Sequence, residues 1–183
     1  MKEWSVNGVQ NTLDIKKSNL DRLMREHGDG VFRLCYMYLN EYQLAEDALQ
    51  DTFLRVYTKY DGFRHESSEK TWITRIAINV CKSFMRKKSF SEKPVDESEF
   101  AQYETLEDAS LEDIVFERER NSRLFKAVIK LDRIYKEVIL LFYYRELKTN
   151  EIASILKIPE GTVKTRLMRA RTILENEVKE ELL

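Results

Sequence analysis

The scarcity of turn-forming residues is the feature that most limits how this chain can fold. Only 5 Gly and 2 Pro occur in 183 residues, whereas an all-β protein needs such residues at its many turns. Apolar residues instead recur every three or four positions, which is the period of one face of an α-helix. Hydrophobic residues make up 43% of the chain, enough for one medium or two small cores. The sequence therefore predicts an all-α protein.

Changes in composition divide the chain into four parts. Residues 1–18 are polar without clear periodicity, so we expect a flexible tail. Helical periodicity runs through 19–90 and again through 113–183. Between them, 91–112 is acidic and contains Pro94, and such a segment buries too little apolar surface to offset its ordering entropy. We predict two small helical domains joined by an acidic, flexible linker, with Gly28 and Gly30 marking a bend in the first helical region.

Charge is strongly separated along the chain although its formal net charge is only −1. From 64 to 90, seven Lys or Arg residues oppose two acids, while from 91 to 119 eleven acids oppose two bases. The stretch 160–175, "EGTVKTRLMRARTILE", is basic again. Two basic blocks around an acidic one indicate two surfaces that meet a polyanion.

Several classes of protein are disfavoured by what the sequence contains. Cys35 and Cys81 lie in apolar helical patterns that favour buried thiols, and with His27 and His65 they lack the spacing of a metal site. We expect no cofactor and no small-molecule substrate, because no Gly-rich phosphate loop or catalytic triad is apparent. No apolar run approaches the roughly 20 residues that span a bilayer. A reducing cytoplasm is the expected location.

Residues 149–174 have the pattern of a helix-turn-helix. Thr149 or Asn150 is expected to cap the first helix, "KIPEG" forms the turn, and Pro159 suits the start of the second helix. A buried stripe at helical spacing is predicted for Val163, Leu167, Ala170 and Leu174. The opposite side carries the group that we call the reading face: Lys164, Thr165, Met168 and Arg169. Arg binds guanine edges or phosphate, and Met meets a thymine methyl, so this face suits the major groove better than plain solvation does.

Two polar surfaces are predicted in the first domain. Asp47, Gln50 and Asp51 share one side of a predicted helix over 42–60, and this acidic edge is suited to a basic protein surface or to ordinary solvation. The helix predicted over 71–88 carries a basic strip: Arg75, Asn79, Lys82, Ser83 and Arg86. Basic grooves beside aromatic residues suit single-stranded nucleic acid. Phe63 and Trp72 offer such a wall, although core packing is the expectation we favour for Trp72.

The sequence resembles bacterial RNA polymerase sigma factors of the extracytoplasmic-function (ECF, group 4) family. The resemblance rests on "AEDALQDTFLRVY", "FRHESSEKTWITRIAINVCKSFMRKK" and "LDRIYKEVILLFYYRELKTNEIASILKIPEGTVKTRLMRARTIL", in this order around an acidic segment. It implies that the first domain is sigma region 2, which binds core polymerase and opens the −10 element. It also implies that the second is sigma region 4, which reads the −35 element as duplex. In this turn the family often has glycine or aspartate where this chain has Lys157, a residue that would be strained in a left-handed conformation.

The resemblance also implies roles for particular residues. Polymerase binding, at the clamp helices of the largest subunit, maps onto the acidic edge and Phe53, and the flap region is a further expected contact. Recognition of the −10 element maps onto the basic strip with Phe63, Arg64, Ser67, Ser68 and Trp72. Recognition of the −35 element maps onto the reading face, with Arg166 and Arg171 as phosphate contacts. Such proteins are commonly held inactive by an anti-sigma factor, often at the inner face of the membrane.

Other classes of function remain open at the level of sequence. A free-standing helix-turn-helix regulator would bind duplex DNA tightly without polymerase, and its first bundle would bind a ligand or dimerise. A basic membrane-surface helix is a further alternative for 160–175, but it would expose larger apolar residues than Met168 alone. An enzyme is the least favoured reading, because Asp47 and Asp51 are expected to be solvated and not paired in a cleft.

Overall fold

The computed structural model describes residues 6–90 and 123–180, with side chains described for 16–87 and 123–177. Within these ranges all regular elements are helical, which confirms the predicted class. The α-helices are α1 (Val6–Leu39), α2 (Tyr42–Lys59), α3 (Glu69–Phe90), α4 (Arg123–Lys130), α5 (Arg133–Ile139), α6 (Thr149–Leu156) and α7 (Glu160–Glu180). A 3-10 turn at Tyr60–Gly62 follows α2, and a π-helical turn at Leu140–Tyr144 extends α5. The predicted linker, 91–112, lies outside the described residues.

Helices α1, α2 and α3 form the first bundle. Leu34 and Met37 of α1 and Ile73 and Ile78 of α3 are fully buried in its centre. Helix α2 packs against both of its neighbours through a face with small residues, including Ala48, whose methyl side chain lets helix backbones approach closely. The apolar face of each helix is thus covered by the other two.

Helix α1 differs from the sequence-based expectation in two ways. It begins at Val6, so residues 6–18 are helical and do not form the predicted tail. The apolar residues Val6, Val9 and Leu13 do have helical spacing, but the polar residues around them obscure it. The predicted bend at Gly28 and Gly30 is also wrong, because α1 continues through both positions. A glycine inside a helix costs only about 1 kcal/mol relative to alanine, which the packed faces of a long helix readily offset.

Helices α4 to α7 form the second bundle, and α6 and α7 are its helix-turn-helix. The predicted stripe of α7 is confirmed, since Val163, Leu167, Ala170 and Leu174 are all buried. They pack with Ile152 and Leu156 of α6 and with Val138 and Leu141 around α5. This core fixes the rotation of α7, so the opposite side of that helix faces outward.

The two ends of α6 are fixed by local hydrogen bonds. Its N-cap is Lys148 and not the predicted Thr149 or Asn150; the Glu151 carboxylate accepts the Lys148 backbone N–H at 3.0 Å. At the other end Lys157 has φ 57° and ψ 47°, the left-handed conformation in which a lysine is strained. The Ile158 N–H donates to the carbonyl of Ala153 at 3.1 Å and closes the turn. A lysine therefore occupies a backbone position that favours glycine.

The second bundle packs against α1 and α3 of the first. Side-chain hydrogen bonds and ion pairs join the two, among them the bond from Thr71 Oγ1 to Glu151 Oε1 at 2.6 Å. Arg145 lies close to α1 at Gly30 and donates to Thr74 of α3. This packing brings the second domain next to the predicted basic strip.

Candidate polymerase and promoter surfaces

The acidic edge lies on the solvent side of α2. Asp47 and Gln50 are exposed, and Asp51 is half-buried beside Arg55, whose Nη2 lies 3.3 Å from the Asp51 carboxylate. Phe53 is only 3% exposed and packs in the core of the first bundle. In this structure Phe53 therefore helps to hold α2 in position, and its predicted role in polymerase binding stays a prediction. A single ion pair leaves the acidic edge open to a basic partner.

An exposed leucine beside the acidic edge was missed in the sequence. Leu54 is 61% exposed and lies three and four residues from Asp51 and Gln50, on the same side of α2. Its position outside the apolar stripe of α2 is the sequence signal that identifies it. Single exposed apolar residues are common on protein surfaces, so its exposure alone does not assign Leu54 to a partner.

The loop before α3 carries a cluster of aromatic rings. The ring centroids of Phe63 and Trp72 are 4.9 Å apart, and Tyr60 and His65 pack on the same group at 6.1 Å from Trp72 and 4.5 Å from Phe63. Phe63 and Trp72 are each half-buried. Trp72 thus packs against the core, which is the placement that the sequence analysis favoured. The aromatic cluster nevertheless leaves apolar surface exposed at the edge of the loop.

A network of side-chain hydrogen bonds fixes the start of α3 relative to α1. Arg22 of α1 donates two hydrogen bonds to the Glu69 carboxylate, at 2.8 and 3.0 Å, and the Tyr60 hydroxyl donates a third at 2.5 Å. The hydrogen bonds from Arg22 and Tyr60 lower the pKa of Glu69 to about 2. Sequence reasoning did not predict this network, because its side chains come from different elements. They hold the aromatic loop at a fixed angle to the bundle.

The same region contains a group of possible metal ligands. Glu26, His27 and Glu69 place ligand atoms within 4.8 Å of one another. The Glu69 carboxylate, however, is already neutralised by Arg22. A metal ion would have to displace that guanidinium, so we assign no metal to this group.

The predicted loop residues differ in their surroundings. Arg64 is exposed, with Glu66 at 4.0 Å. Ser67 is half-buried, and its hydroxyl contacts the Ser68 carbonyl at 3.4 Å. The Ser68 Oγ accepts the Thr71 backbone N–H at 3.0 Å, which makes Ser68 the N-cap of α3. Its hydroxyl is therefore engaged in holding the helix end.

The basic strip follows one side of α3 but is not uniformly free. Asn79 and Arg86 are exposed, and Ser83 is half-buried. Arg75 donates to Ser154 Oγ at 3.1 Å, and Lys82 lies 3.4 Å from Glu137 Oε1. Both of these partners belong to the second bundle. Some side chains of the strip are therefore exposed to solvent, and others contact the second bundle.

The reading face is directed outward from α7. Thr165 and Arg169 are exposed, and Met168 is 62% exposed. Lys164 forms an i,i+4 ion pair with Glu160 at 2.9 Å, and the pKa of Glu160 is lowered by its hydrogen bonds with Thr149 and Lys164. This pair fixes the first turn of α7 and leaves the rest of the reading face accessible.

The two arginines predicted to contact phosphate have different surroundings. Arg166 is half-buried. Arg171 is exposed, donates from Nε to the Tyr143 hydroxyl at 2.8 Å and lies over the rings of Phe142 and Tyr143 at 5.7 and 5.6 Å. Such stacking holds the planar guanidinium at a fixed position while donors remain available for an anion.

One helical bundle contains a helix-turn-helix, and the other carries a basic strip beside aromatic rings. Together they define the class of the molecule: a two-domain DNA-binding protein that acts in transcription. The family model for Sigma-70 region 2 matches residues 23–90, and that for Sigma-70 region 4 matches residues 122–174. The chain belongs to the sigma-70 family, within its ECF group of RNA polymerase sigma factors. It binds core RNA polymerase and directs promoter-specific initiation of transcription.

Curated relatives match this chain over most of its length. The ECF RNA polymerase sigma factor SigW of Bacillus subtilis (strain 168) is 34% identical over 175 residues, covering 91% of this chain and 94% of SigW. The ECF RNA polymerase sigma-E factor of Escherichia coli (strain K12) is 30% identical over 138 residues, covering 72% of each chain. The match therefore includes both domains.

Solved structures share the fold at lower identity. RpoE of Bartonella quintana, solved with the anti-sigma factor NepR, has a TM-score of 0.68 and 24% identity, covering 88% of this chain and 97% of RpoE. CnrH, solved with the cytosolic domain of CnrY, has a TM-score of 0.65 and 21% identity, covering 90% of each chain. Across the described residues, no helix combines the length and apolar character that crossing a membrane requires.

Proposed function

We propose that this sigma factor uses three separate surfaces to bind polymerase and the two promoter elements: the acidic edge, the basic strip and the reading face. The observation that carries the proposal is their placement on separate elements: acids lie on α2, and exposed cations lie on α3 and α7. DNA phosphates repel the acidic edge and attract the other two surfaces. The acidic edge, with Leu54 beside it, is therefore assigned to the clamp helices of the polymerase.

The first domain, 19–90, is assigned to the −10 element. A base taken out of the duplex needs an apolar or aromatic wall and a cationic path for the backbone. The half-buried Phe63 and Trp72 supply the wall, while exposed Asn79 and Arg86 supply polar contacts. Arg64, Ser67 and Ser68 are assigned to the edge of this pocket, with Ser68 acting through the helix cap that it forms.

The second domain, 113–183, is assigned to the −35 element. The reading face presents a cation, a hydroxyl, a thioether and a guanidinium on one side of a helix held by a helix-turn-helix. That combination suits base edges and methyl groups in the major groove, which admits an α-helix. Arg166 and Arg171 lie beside it and are assigned to phosphates.

We further propose that an anti-sigma factor regulates the chain and that the chain works in the cytoplasm without catalytic activity. RpoE of Bartonella quintana and CnrH were each solved with a protein partner, the anti-sigma factor NepR and the cytosolic domain of CnrY. A partner of this kind would hold the chain away from polymerase, at the inner face of the membrane if it is itself anchored there. A purified anti-sigma factor that binds the chain should then prevent its co-elution with core polymerase in gel filtration.

Reconstituted transcription tests the assignment as a whole. The purified chain and bacterial core RNA polymerase are incubated with a pool of genomic fragments, and run-off transcripts are sequenced. We expect transcripts with common −10 and −35 sequences only when both proteins are present. Tight, sequence-specific duplex binding by the chain alone, with no transcripts in the presence of core polymerase, would instead favour a free-standing regulator.

A further inference from the structure

Helix α1 contacts both ends of the loop between α2 and α3. This loop runs from the 3-10 turn at Tyr60–Gly62 to Glu69, the first residue of α3. Near its first end the Lys16 Nζ lies 2.5 Å from the Asp61 carboxylate, and at its last end Arg22 pairs with Glu69 at 2.8 Å. The two cations are separated by about 9 Å along the axis of α1. One continuous helix therefore holds the loop at both ends.

Backbone geometry inside the loop shows why it needs such support. His65 has φ 54°, a left-handed conformation that residues with a side chain seldom adopt. Conformations of this kind persist where the surrounding contacts fix them. The rings of His65 and Phe63 pack at 4.5 Å between centroids, so the conformation of His65 is coupled to the position of Phe63. We expect a loop released at either end to relax at His65 and to displace the Phe63 ring.

Tyr60 belongs both to the ion-pair network and to the aromatic cluster. Its hydroxyl donates to Glu69 at 2.5 Å and accepts from Arg22 at 3.3 Å. The bond to Glu69 raises the pKa of Tyr60, so the hydroxyl remains a donor at neutral pH. Its ring lies 6.1 Å from the ring of Phe63 and 6.1 Å from that of Trp72. A displacement of Arg22 or Glu69 would therefore reach the aromatic cluster through one side chain.

Arg22 also controls a negative charge beside the loop assigned to the −10 element. Glu69 is ionised at neutral pH, because hydrogen bonds from Arg22 and Tyr60 hold its pKa at about 2. A carboxylate without a partner at this position would repel DNA phosphates. Arg22 and Lys16 both precede residues 23–90, the part of the chain that the region 2 family model matches. The two cations thus add a feature to the first domain that lies outside the matched segment.

We propose that α1 fixes the shape of the pocket for an unstacked −10 base through five positioning residues: Lys16, Arg22, Tyr60, Asp61 and Glu69. We call this set the α1 brace. The inference deepens the proposed function and rests on the assignment of the first domain to the −10 element. A pocket of fixed shape rejects a wrong base because polar groups are left unpaired, whereas a loose pocket accepts several bases. The α1 brace therefore acts on the choice of base and does not need to touch DNA.

Base discrimination by the holoenzyme provides the first test. Two single-stranded oligonucleotides are compared, one with the −10 sequence that reconstituted transcription identifies and one with a single base of it changed. Arg22→Met removes both hydrogen bonds to Glu69, and we expect the ratio of the two dissociation constants to fall roughly tenfold, within the range of a single pocket contact. Arg25→Met, at an exposed arginine of α1, should leave this ratio unchanged. Equal weakening on both oligonucleotides would overturn the positioning role, because a loss of folded protein has that effect.

A smaller change at Tyr60 tests the connection to the aromatic cluster without disturbing an ion pair. Tyr60→Phe keeps the ring and removes the hydroxyl that bonds to Glu69. The discrimination ratio should fall in the same direction as in Arg22→Met, but by less. Tyr135→Phe removes a tyrosine hydroxyl from the second domain and should not change the ratio. An unchanged ratio in Tyr60→Phe would show that the hydroxyl does not transmit position.

A charge exchange tests the other end of the loop. Lys16→Glu places like charges at residue 16 and Asp61 and should lower the ratio, and the double variant Lys16→Glu with Asp61→Lys should restore it. An exposed ion pair contributes little to stability, so both variants should melt at the temperature of the wild type. Lys17→Glu, at an exposed neighbour, provides the control. A loss that the exchange does not restore would overturn the role of this ion pair.

Failure of the α1 brace and failure of the proposed function give different results in this experiment. If the wild-type holoenzyme does not distinguish the two oligonucleotides, the assignment of the first domain to the −10 element is overturned, and the α1 brace with it. If the wild type distinguishes them while Arg22→Met and Tyr60→Phe keep the wild-type ratio, the α1 brace alone is overturned.

Discussion

Exposure distinguishes side chains that can reach a partner from those that hold the bundle together. Met168 and Leu54 are both more than half exposed although they are apolar, and each lies on a surface assigned to a partner. Phe53, by contrast, lies in the same sequence motif as Asp51 but is buried. Residues of one motif can therefore differ in whether they are exposed or packed in the core.

Arg169 provides a test of base reading at the scale of one residue. Its side chain is exposed on the reading face, so Arg169→Ala removes no packing. We expect a loss of about 1–3 kcal/mol in discrimination between the preferred −35 sequence and a variant of it. Competition binding of the holoenzyme to the two duplexes measures this difference. An equal weakening on both duplexes would make Arg169 a phosphate contact, and Lys130→Ala, an exposed cation outside the reading face, serves as the control.

Asp51 provides the corresponding test of polymerase binding. Asp51→Arg reverses a charge of the acidic edge, and we expect markedly weaker binding to core polymerase, measured by surface plasmon resonance. Stability should change by no more than about 0.5 kcal/mol, because only the exposed ion pair with Arg55 is lost. Asp21→Arg, at an exposed acid of α1, should leave polymerase binding unchanged. A large loss of stability in Asp51→Arg would assign the acidic edge a structural role instead.

At the scale of elements, the ends of helices determine where the functional surfaces lie. Ser68 caps α3 and so fixes where the basic strip begins, while Glu151 holds the start of α6. Glu151 also accepts the bond from Thr71, which joins the two elements. The helix-turn-helix turn then passes through Lys157, which is held in a left-handed conformation.

Replacement of Lys157 by glycine should stabilise the second domain. An L-residue in the left-handed region costs roughly 1–2 kcal/mol, and glycine avoids this cost while adding entropy to the unfolded chain. We expect Lys157→Gly to raise the free energy of unfolding by about 0.5–1 kcal/mol, seen as a higher urea midpoint with an unchanged slope. Lys59→Gly, at the end of α2 where φ is −109°, should give no such gain. Equal effects of the two changes would contradict strain at Lys157.

At the scale of the whole molecule, we expect each domain alone to make a small number of DNA contacts. Tethering of two weak sites becomes effective only when their separation matches that of the two targets. In the described arrangement the domains contact each other through residues such as Glu137 and Tyr38. We therefore expect polymerase to fix the domain separation used on a promoter.

The distance between promoter elements tests this dependence. Insertion of 5 base pairs between the −10 and −35 elements rotates one by about half a turn relative to the other. We expect the holoenzyme to lose run-off transcription from this template, because polymerase holds the two domains at one separation. The free chain should bind the original and the altered duplex equally, by gel shift. Transcription that tolerates the insertion would contradict a fixed separation.

Sequence alone was sufficient for the properties that depend on local periodicity and composition. Scarcity of Gly and Pro with a 3.6-residue period predicted the all-α class, and the stripe from Val163 to Leu174 predicted which side of α7 faces outward. Motif order predicted the family, which the matches to both sigma-70 regions confirm. Roles of the individual site residues stay predictions.

Only the tertiary structure decided the features that join residues distant in sequence. Gly28 and Gly30 look alike as helix breakers, yet α1 continues through both and only Gly30 meets Arg145. The bonding of Arg22, Tyr60 and Glu69 and the burial of Glu137 beneath Tyr38 likewise depend on how helices pack. Periodicity determines which face of a helix is buried, whereas the identity of the partner across that face depends on long-range packing that no local pattern encodes.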